Sequence, residues 1–199
     1  MSSNIFSESN FEEAIVKFVT QKINNIKEGD DLKDILLNEY IETKKESFRK
    51  SKIIKQIQMI TGKVWQEAIG LYPNFVNLGE GHISGLDNLN EVRKIILELK
   101  NRYNTDNASA KKSNYSKLVK YKKENSDYEV IYAVINDTKY EGKKKEEIID
   151  GVKIIYLSGD KLLTYIFENN KEIVIHIIKK VINKLITHFS EKNETKVLN

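Results

Sequence analysis

An unbroken apolar run at residues 130–135 (VIYAVI) lies in the middle of this 199-residue chain and limits the folds open to it. The run is rich in β-branched side chains, a composition that favours a strand covered on both of its faces. A second apolar run at residues 152–157 is a candidate for a neighbouring strand. Because helical patterns precede and follow the two runs, we expect an α/β fold in which helices flank a mixed β-sheet.

Apolar residues at helical spacing predict helices at both ends of the chain. The N-terminal helices are expected at residues 11–26 and 32–40, and from residue 53 to a break at Gly62 and on to residue 69. The C-terminal helices are expected at residues 161–167 and 171–189. The last of them carries a broad isoleucine stripe, which we interpret as core, with a dimer contact as the alternative.

The middle of the chain predicts a hairpin followed by one more helix. Residues 83–90 and 92–100 form the arms of the predicted hairpin, which turns around residues 88–91. The polar segment that follows offers four candidate helix caps: Asn104, Asp106, Asn107 and Ser109. We expect a basic loop between the two apolar strands.

Composition predicts one cytoplasmic domain. The chain is 40% hydrophobic and 31% charged, and it has no cysteine, which excludes disulfides, thiolate zinc sites and cysteine catalysis. It shows neither a signal peptide pattern nor an apolar stretch long enough to span a membrane. We expect a single domain over residues 1–199, with a helical part (1–62), a catalytic core (63–160) and C-terminal helices (161–199).

Positive charge is concentrated in one part of the chain. The formal net charge is only +4, but residues 93–145 contain 14 basic and seven acidic residues. Such an asymmetry is expected of a protein that faces a polyanion, and a solvated lysine-rich face is the alternative.

One triplet, Glu98-Leu99-Lys100, stands out among six occurrences of the pattern acid-any-Lys. It ends an apolar run, so strand alternation sends Glu98 and Lys100 to one sheet face and Leu99 to the other. Asp87 lies on the other arm of the predicted hairpin, where its carboxylate would lie beside that of Glu98. The weaker alternative is Asp127 with residues 137–139, because Asp137 lies beyond the end of its apolar run.

Two neighbouring carboxylates repel each other and must bind a proton or a cation, and hard oxygen ligands favour Mg²⁺. The ion would activate a water and neutralise charge that develops on a phosphodiester. Lys100 would position or stabilise the nucleophilic water, and whether it also accepts a proton stays open.

The segments GHISGLD (81–87), ILELKNR (96–102) and NTDNAS (104–109) resemble type II restriction endonucleases of the PD-(D/E)xK nuclease superfamily, especially the group that cuts GGNCC-type sites. The resemblance implies a restriction-endonuclease-like fold, with Asp87 and Glu98 as metal-binding acids and Lys100 as the catalytic lysine. Leu86 stands where the superfamily name has proline. Glu67 matches a helical acid that some members use for a second metal, and an ion pair with Lys63 is the alternative.

The resemblance implies an Mg²⁺-dependent enzyme that cuts double-stranded DNA at a short sequence and leaves 5′-phosphates. A palindromic target requires a homodimer, and the functional partner is a cognate DNA methyltransferase. Alternatives are a repair or structure-selective nuclease and a non-catalytic nucleic-acid-binding module. Candidate DNA contacts are His82, Ser84, Arg102, Asn104, Asn107, Ser109, Lys111, Lys112 and Lys117, with the basic run at 139–145. Their alternatives are structural: helix capping, a histidine satisfied within the fold, or solvated surface.

Overall fold

The fold is a mixed β-sheet with helices on both faces, seen in a computed structural model that describes residues 5–24, 45–103 and 106–194. Within these ranges the strands are β1 (Phe75–Asn77), β2 (Asn88–Asn90), β3 (Ile95–Arg102), β4 (Glu129–Asn136), β5 (Lys144–Ile149) and β6 (Val152–Ser158). The helices are α1 (Glu8–Asn24), α2 (Lys45–Leu71), α3 (Ala108–Glu124), α4 (Gly159–Phe167) and α5 (Lys171–Glu194). The predicted α/β class is confirmed.

The apolar run that we expected to be a buried strand lies at the centre of the sheet. The strand order is β1-β2-β3-β4-β6-β5, in which β3, β4 and β6 are parallel and the outer strands pair antiparallel. Strand β4 lies between β3 and β6, and six of its eight residues are buried. Helix α3, which connects the parallel strands β3 and β4, covers one face of β4, and the larger helical layer covers the other.

The two faces of the sheet build two apolar layers. Ile131, Ala133 and Ile135 of β4 face the larger layer, which α1, α2, α4 and α5 complete. The alternate residues of β4 face a smaller layer under α3. The C-terminal stripe is core, as expected, since its described members at 174, 177, 178 and 181 are buried in the larger layer. None of the helices in the described ranges is both long and apolar enough to cross a membrane.

The helical predictions hold with one correction and one part that lies outside the described residues. Gly62 does not break its helix, because α2 runs without interruption from Lys45 to Leu71. Burial of Val64, Ala68 and Ile69 against the sheet outweighs the cost of about 1 kcal/mol for a glycine inside a helix. Residue 62, which ends the first part of the predicted domain, therefore lies within a helix. The helix predicted at residues 32–40 lies outside the described residues.

The predicted hairpin exists but is shorter and shifted. On its first arm only β2 forms. Gly81 and Gly85 have left-handed backbone conformations, which keep the segment before β2 from being extended. The chain turns at 91–94, where Lys94 has a φ of 52°, so β3 begins three residues later than expected. The sequence also concealed β1, a three-residue strand that pairs with β2.

The prediction of a basic loop between the two apolar strands is wrong, because that interval contains strand β5. This strand is the sheet edge, pairs antiparallel with β6, and consists largely of charged side chains that remain in solvent. Lysine on an exposed edge strand discourages pairing with other chains. Hydrophobic alternation therefore did not reveal it.

Candidate active site

Strand β3 brings Glu98 and Lys100 together on the sheet face under α3. Leu99 packs on the opposite layer, as strand alternation predicts. The Lys100 Nζ lies 2.9 Å from the Glu98 Oε1. Glu98 is only 3% exposed, and its other carboxylate oxygen, Oε2, is buried and has no hydrogen-bond partner among the described residues. A buried carboxylate oxygen in this state is costly unless a cation or donor occupies the site.

Asp87 immediately precedes β2 and lies next to Glu98 across the antiparallel ladder. Its N–H donates to the Leu97 carbonyl (2.9 Å), and its Oδ2 accepts a 2.6 Å hydrogen bond from the Leu99 N–H. Burial and then the charge of Glu98 raise the pKa of Asp87 from 3.8 to about 6. The two carboxylates therefore repel each other, as the sequence predicted.

Lys100 is bound by two acids rather than one. Its Nζ also lies 3.6 Å from the Asp106 Oδ1. Burial lowers the pKa of Lys100, but the hydrogen bond to Glu98 and the charges of Glu98 and Asp106 more than offset it and raise that pKa. Lys100 is thus a protonated ammonium before metal or substrate binds, suited to binding an anion rather than to accepting a proton.

Gln66 of helix α2 contacts Asp87 and was not among the site residues predicted from the sequence. Its Nε2 donates to the Asp87 Oδ1 (3.2 Å) and to the Asn77 Oδ1 (3.1 Å). The contact needs β1 to lie against α2, which Gly70 permits, since a Cβ there would be 2.5 Å from that of Asn77. The sequence carries no signal for this contact, because β1 itself was not predicted.

Glu67, the predicted second metal acid, accepts a 2.8 Å hydrogen bond from the Asn77 Nδ2. The ion pair with Lys63 that we weighed for it is not formed, because Lys63 pairs with Glu80 at 2.7 Å. Glu67 thus borders the site through Asn77, and its role as a metal ligand stays a prediction.

Asp106 was expected to cap a helix, but the cap of α3 is Asn107, whose side chain accepts from the Ala110 N–H at 2.8 Å. Asp106 instead accepts hydrogen bonds from the Tyr132 hydroxyl (2.7 Å) and the Asn114 Nδ2 (2.6 Å). A polar segment before a helix gives no sign that one of its acids turns toward a lysine on the preceding strand.

The structure describes all but one of the candidate DNA contacts. The His82 Nδ1 and Ser84 Oγ lie 2.8 Å apart in the loop before Asp87, and the Ser84 Oγ accepts from the Leu86 N–H. These bonds give both side chains a structural role within the loop. His82 is exposed, and so are Arg102, Asn107, Ser109, Lys111, Lys112 and the lysines of the run at 139–145. Lys117 is half-buried beside Gly85, and Asn104 lies outside the described residues.

The residues of the alternative site, Asp127 and 137–139, do not come together. Asp127 and Asp137 flank opposite ends of strand β4. Asp127 pairs with Lys94 at 3.5 Å, while Asp137 accepts from the Ser158 hydroxyl at 2.5 Å. The two acids therefore cannot share one ion.

The residues present suit Mg²⁺ better than an all-protein metal cage. Within the described ranges no three His, Cys, Asp or Glu side chains are grouped to hold a metal ion. Mg²⁺ characteristically binds one or two carboxylates and fills its other positions with water and substrate phosphate. Asp87 and Glu98 are such a pair, and the Glu98 Oε2, to which no donor of residues 5–24, 45–103 or 106–194 is bonded, is available as a ligand.

The mixed sheet with helices on both faces is consistent with the restriction-endonuclease-like class of α/β fold. The chain belongs to the Eco47II restriction endonuclease family, whose model matches residues 3–187. Family membership makes it a nuclease. No curated protein and no solved structure matches the chain.

Proposed function

We propose that the protein is a type II restriction endonuclease that uses Mg²⁺ to hydrolyse phosphodiester bonds at a specific sequence in double-stranded DNA. The proposal joins the family assignment to the geometry of Asp87, Glu98 and Lys100. The main supporting observation is that the buried Glu98 Oε2 has no hydrogen-bond partner in the part of the chain that the structure describes, while Glu98 lies next to a second carboxylate. A divalent cation would satisfy that oxygen and relieve the repulsion.

Asp87 and Glu98 would bind the ion, with Glu67 as a candidate ligand of a second one. Bound Mg²⁺ supplies charge neutralisation at the scissile phosphate and lowers the pKa of a water molecule. Asp87 is held for this task by the Leu99 N–H and Gln66, so its carboxylate needs little reorganisation on binding.

Lys100 would contribute a fixed positive charge. Its ammonium donates to Glu98 and can also donate to a water or to a phosphate oxygen. In that position it orients the nucleophile for in-line attack and stabilises negative charge in the transition state. The 5′-phosphate product follows if the water attacks phosphorus and the 3′ oxygen leaves.

The resemblance to GGNCC-cutting enzymes suggests a palindromic target, a homodimer and a cognate methyltransferase. A palindromic site of that kind has two-fold symmetry, so the enzyme would act as a homodimer with one site per strand. A cognate methyltransferase would protect host DNA, and a chain without cysteine suits the reducing cytoplasm where both would act.

Digestion of a sequenced plasmid with Mg²⁺, followed by mapping of the ends, tests the proposal. Discrete fragments with 5′-phosphate ends at one short palindrome are expected. Cutting only at branches or lesions would instead indicate a structure-selective nuclease. Metal-independent DNA binding without hydrolysis in Mg²⁺ or Mn²⁺ would indicate a binding module, and either result would contradict the proposal.

A further inference from the structure

Asp106 is a partly buried acid beside Lys100 to which neither the resemblance nor the proposed chemistry assigns a role. Its side chain is 12% exposed, and its Oδ1 faces the Lys100 Nζ at 3.6 Å. A buried carboxylate must be compensated by donors or a positive charge. Asp106 has both, and together they fix its orientation.

Two neutral donors bind the other oxygen of Asp106. The Tyr132 hydroxyl donates to Oδ2 at 2.7 Å, and the Asn114 Nδ2 donates to the same atom at 2.6 Å. With Oδ2 bound on β4 and α3, Oδ1 is left for the ammonium. The geometry of Lys100 is thus determined partly by residues outside its own strand.

The Tyr132 ring is itself held rigidly in place. Tyr132 pairs directly with Glu98 across the parallel ladder of β3 and β4. Its ring stacks on Tyr115 with centroids 4.8 Å apart and on Tyr156 with centroids 6.1 Å apart. Burial and the hydrogen bond to Asp106 raise the pKa of the Tyr132 hydroxyl, so it stays a donor.

We infer that Asp106 is a positioning residue for Lys100, held in place by Tyr132 and Asn114. The inference rests on the proposed function. A lysine side chain has many rotamers, and a hydrogen bond to one acid leaves several of them open. When Glu98 shares its charge with a bound cation, its attraction for the ammonium weakens, and Asp106 then retains Lys100 beside the phosphate.

The test compares Asp106→Asn and Tyr132→Phe with the matched control Tyr165→Phe. Tyr165 of α4 packs on the larger layer, on the other face of the sheet, where its hydroxyl donates to the carboxylate of Glu129. We expect Asp106→Asn to lower kcat about 10- to 100-fold and Tyr132→Phe about 3- to 10-fold, with KM changed less than about threefold. Tyr165→Phe should cleave at the wild-type rate.

Coupling between the two variants distinguishes positioning from general stabilisation. If Tyr132 acts through Asp106, the double variant loses no more kcat than Asp106→Asn alone. Thermal unfolding with and without Mg²⁺ provides a readout independent of cleavage. All variants should retain the wild-type increase in melting temperature on adding Mg²⁺, because Asp106 is not proposed as a ligand.

Three results would overturn the inference while wild-type cleavage stands: wild-type kcat in Asp106→Asn, multiplicative losses in the double variant, or loss of the Mg²⁺-dependent increase in melting temperature in Asp106→Asn. The last would make Asp106 a metal ligand. A wild-type protein that cuts no DNA under any condition would instead refute the proposed function itself.

Discussion

Gln66, in the buried part of helix α2, donates a 3.2 Å hydrogen bond to Asp87 and so connects the helical layer to the carboxylate pair. The same amide donates to Asn77 on β1. Both carboxylate oxygens of Asp87 therefore accept a hydrogen bond, Oδ1 from Gln66 and Oδ2 from the Leu99 N–H, and these bonds fix the orientation of the side chain. Hydrogen bonds from residues that do not themselves bind the metal often orient a metal ligand, and they thereby change the affinity of the site for the metal.

Replacing Gln66 by Leu should weaken Mg²⁺ binding and lower the cleavage rate about 10- to 100-fold, because the Asp87 Oδ1 loses its donor. The measurement is the cleavage rate as a function of Mg²⁺ concentration. Glu80→Gln is the control, since Glu80 is 84% exposed and pairs with Lys63, which is not part of the carboxylate pair. A Gln66→Leu enzyme with a wild-type Mg²⁺ dependence would contradict the role assigned to this hydrogen bond.

Asp87 makes the metal-free protein less stable as the pH rises. Its pKa is about 6 in the folded protein against 3.8 ordinarily, so folding retains a proton between these values. The stability associated with that proton is fully present below 3.8 and is lost as the pH rises through 6. Asp87→Asn removes the charge and should raise the free energy of unfolding by up to about 3 kcal/mol at pH 7.5.

At pH 4.5 Asp87→Asn should raise the free energy of unfolding by only about 1 kcal/mol, because Asp87 is largely protonated in the folded state at that pH. Urea denaturation in EDTA at the two pH values measures the difference. Asp127→Asn serves as the control, because this carboxylate is 62% exposed and should change stability by less than about 0.5 kcal/mol. A gain for Asp87→Asn that is equal at both pH values would show that charge repulsion is not its cause.

The fold brings two groups of lysines that are distant in sequence to one surface: Lys111 and Lys112 of α3, and the basic run at 139–145. Lys111 of α3 lies over the Tyr115 ring at 5.6 Å, and Lys145 of β5 lies over the Tyr156 ring at 4.9 Å. Tyr115 and Lys145 both contact Glu147, which marks the junction of the two groups. This arrangement suits contact with a DNA backbone.

Removing two of these charges should reduce the salt dependence of DNA binding. For the double variant Lys111→Ala with Lys112→Ala, we expect the slope of log K against log salt to become shallower by about 1 to 2. Binding titrations in EDTA, which prevent cleavage, measure that slope. Lys94→Ala is the matched control, because Lys94 precedes β3 at the end opposite Lys100. An unchanged slope in the double variant would place the DNA on another surface.

The sequence predicted what depends on local periodicity. Strand alternation placed Glu98 and Lys100 on one face, and the apolar run at 130–135 identified the central strand. The position of Asp87 beside Glu98 also followed, even though the hairpin is shorter than predicted, because the pairing of Asn88 with Leu97 preserves the register around it.

The sequence could not predict contacts that join distant elements. Gln66 reaches Asp87 only because α2 packs against a three-residue strand too short to show a pattern. Asp106 looked like a helix cap, and its contact with Lys100 depends on Tyr132, 26 residues further along the chain. The edge strand β5 was hidden because its solvent-facing lysines and glutamates mask the alternation that identifies a strand.

Single-turnover cleavage of the mapped DNA site by the wild-type protein, Lys100→Ala and Glu98→Gln tests whether these two side chains take part in hydrolysis. In saturating Mg²⁺ we predict that both variants cleave at least about 10³-fold more slowly than the wild type, while they still bind the same DNA and unfold cooperatively. Lys94→Ala, measured in parallel, should cleave normally. A folded Lys100→Ala or Glu98→Gln protein that cuts at the wild-type rate would show that hydrolysis occurs elsewhere on the molecule.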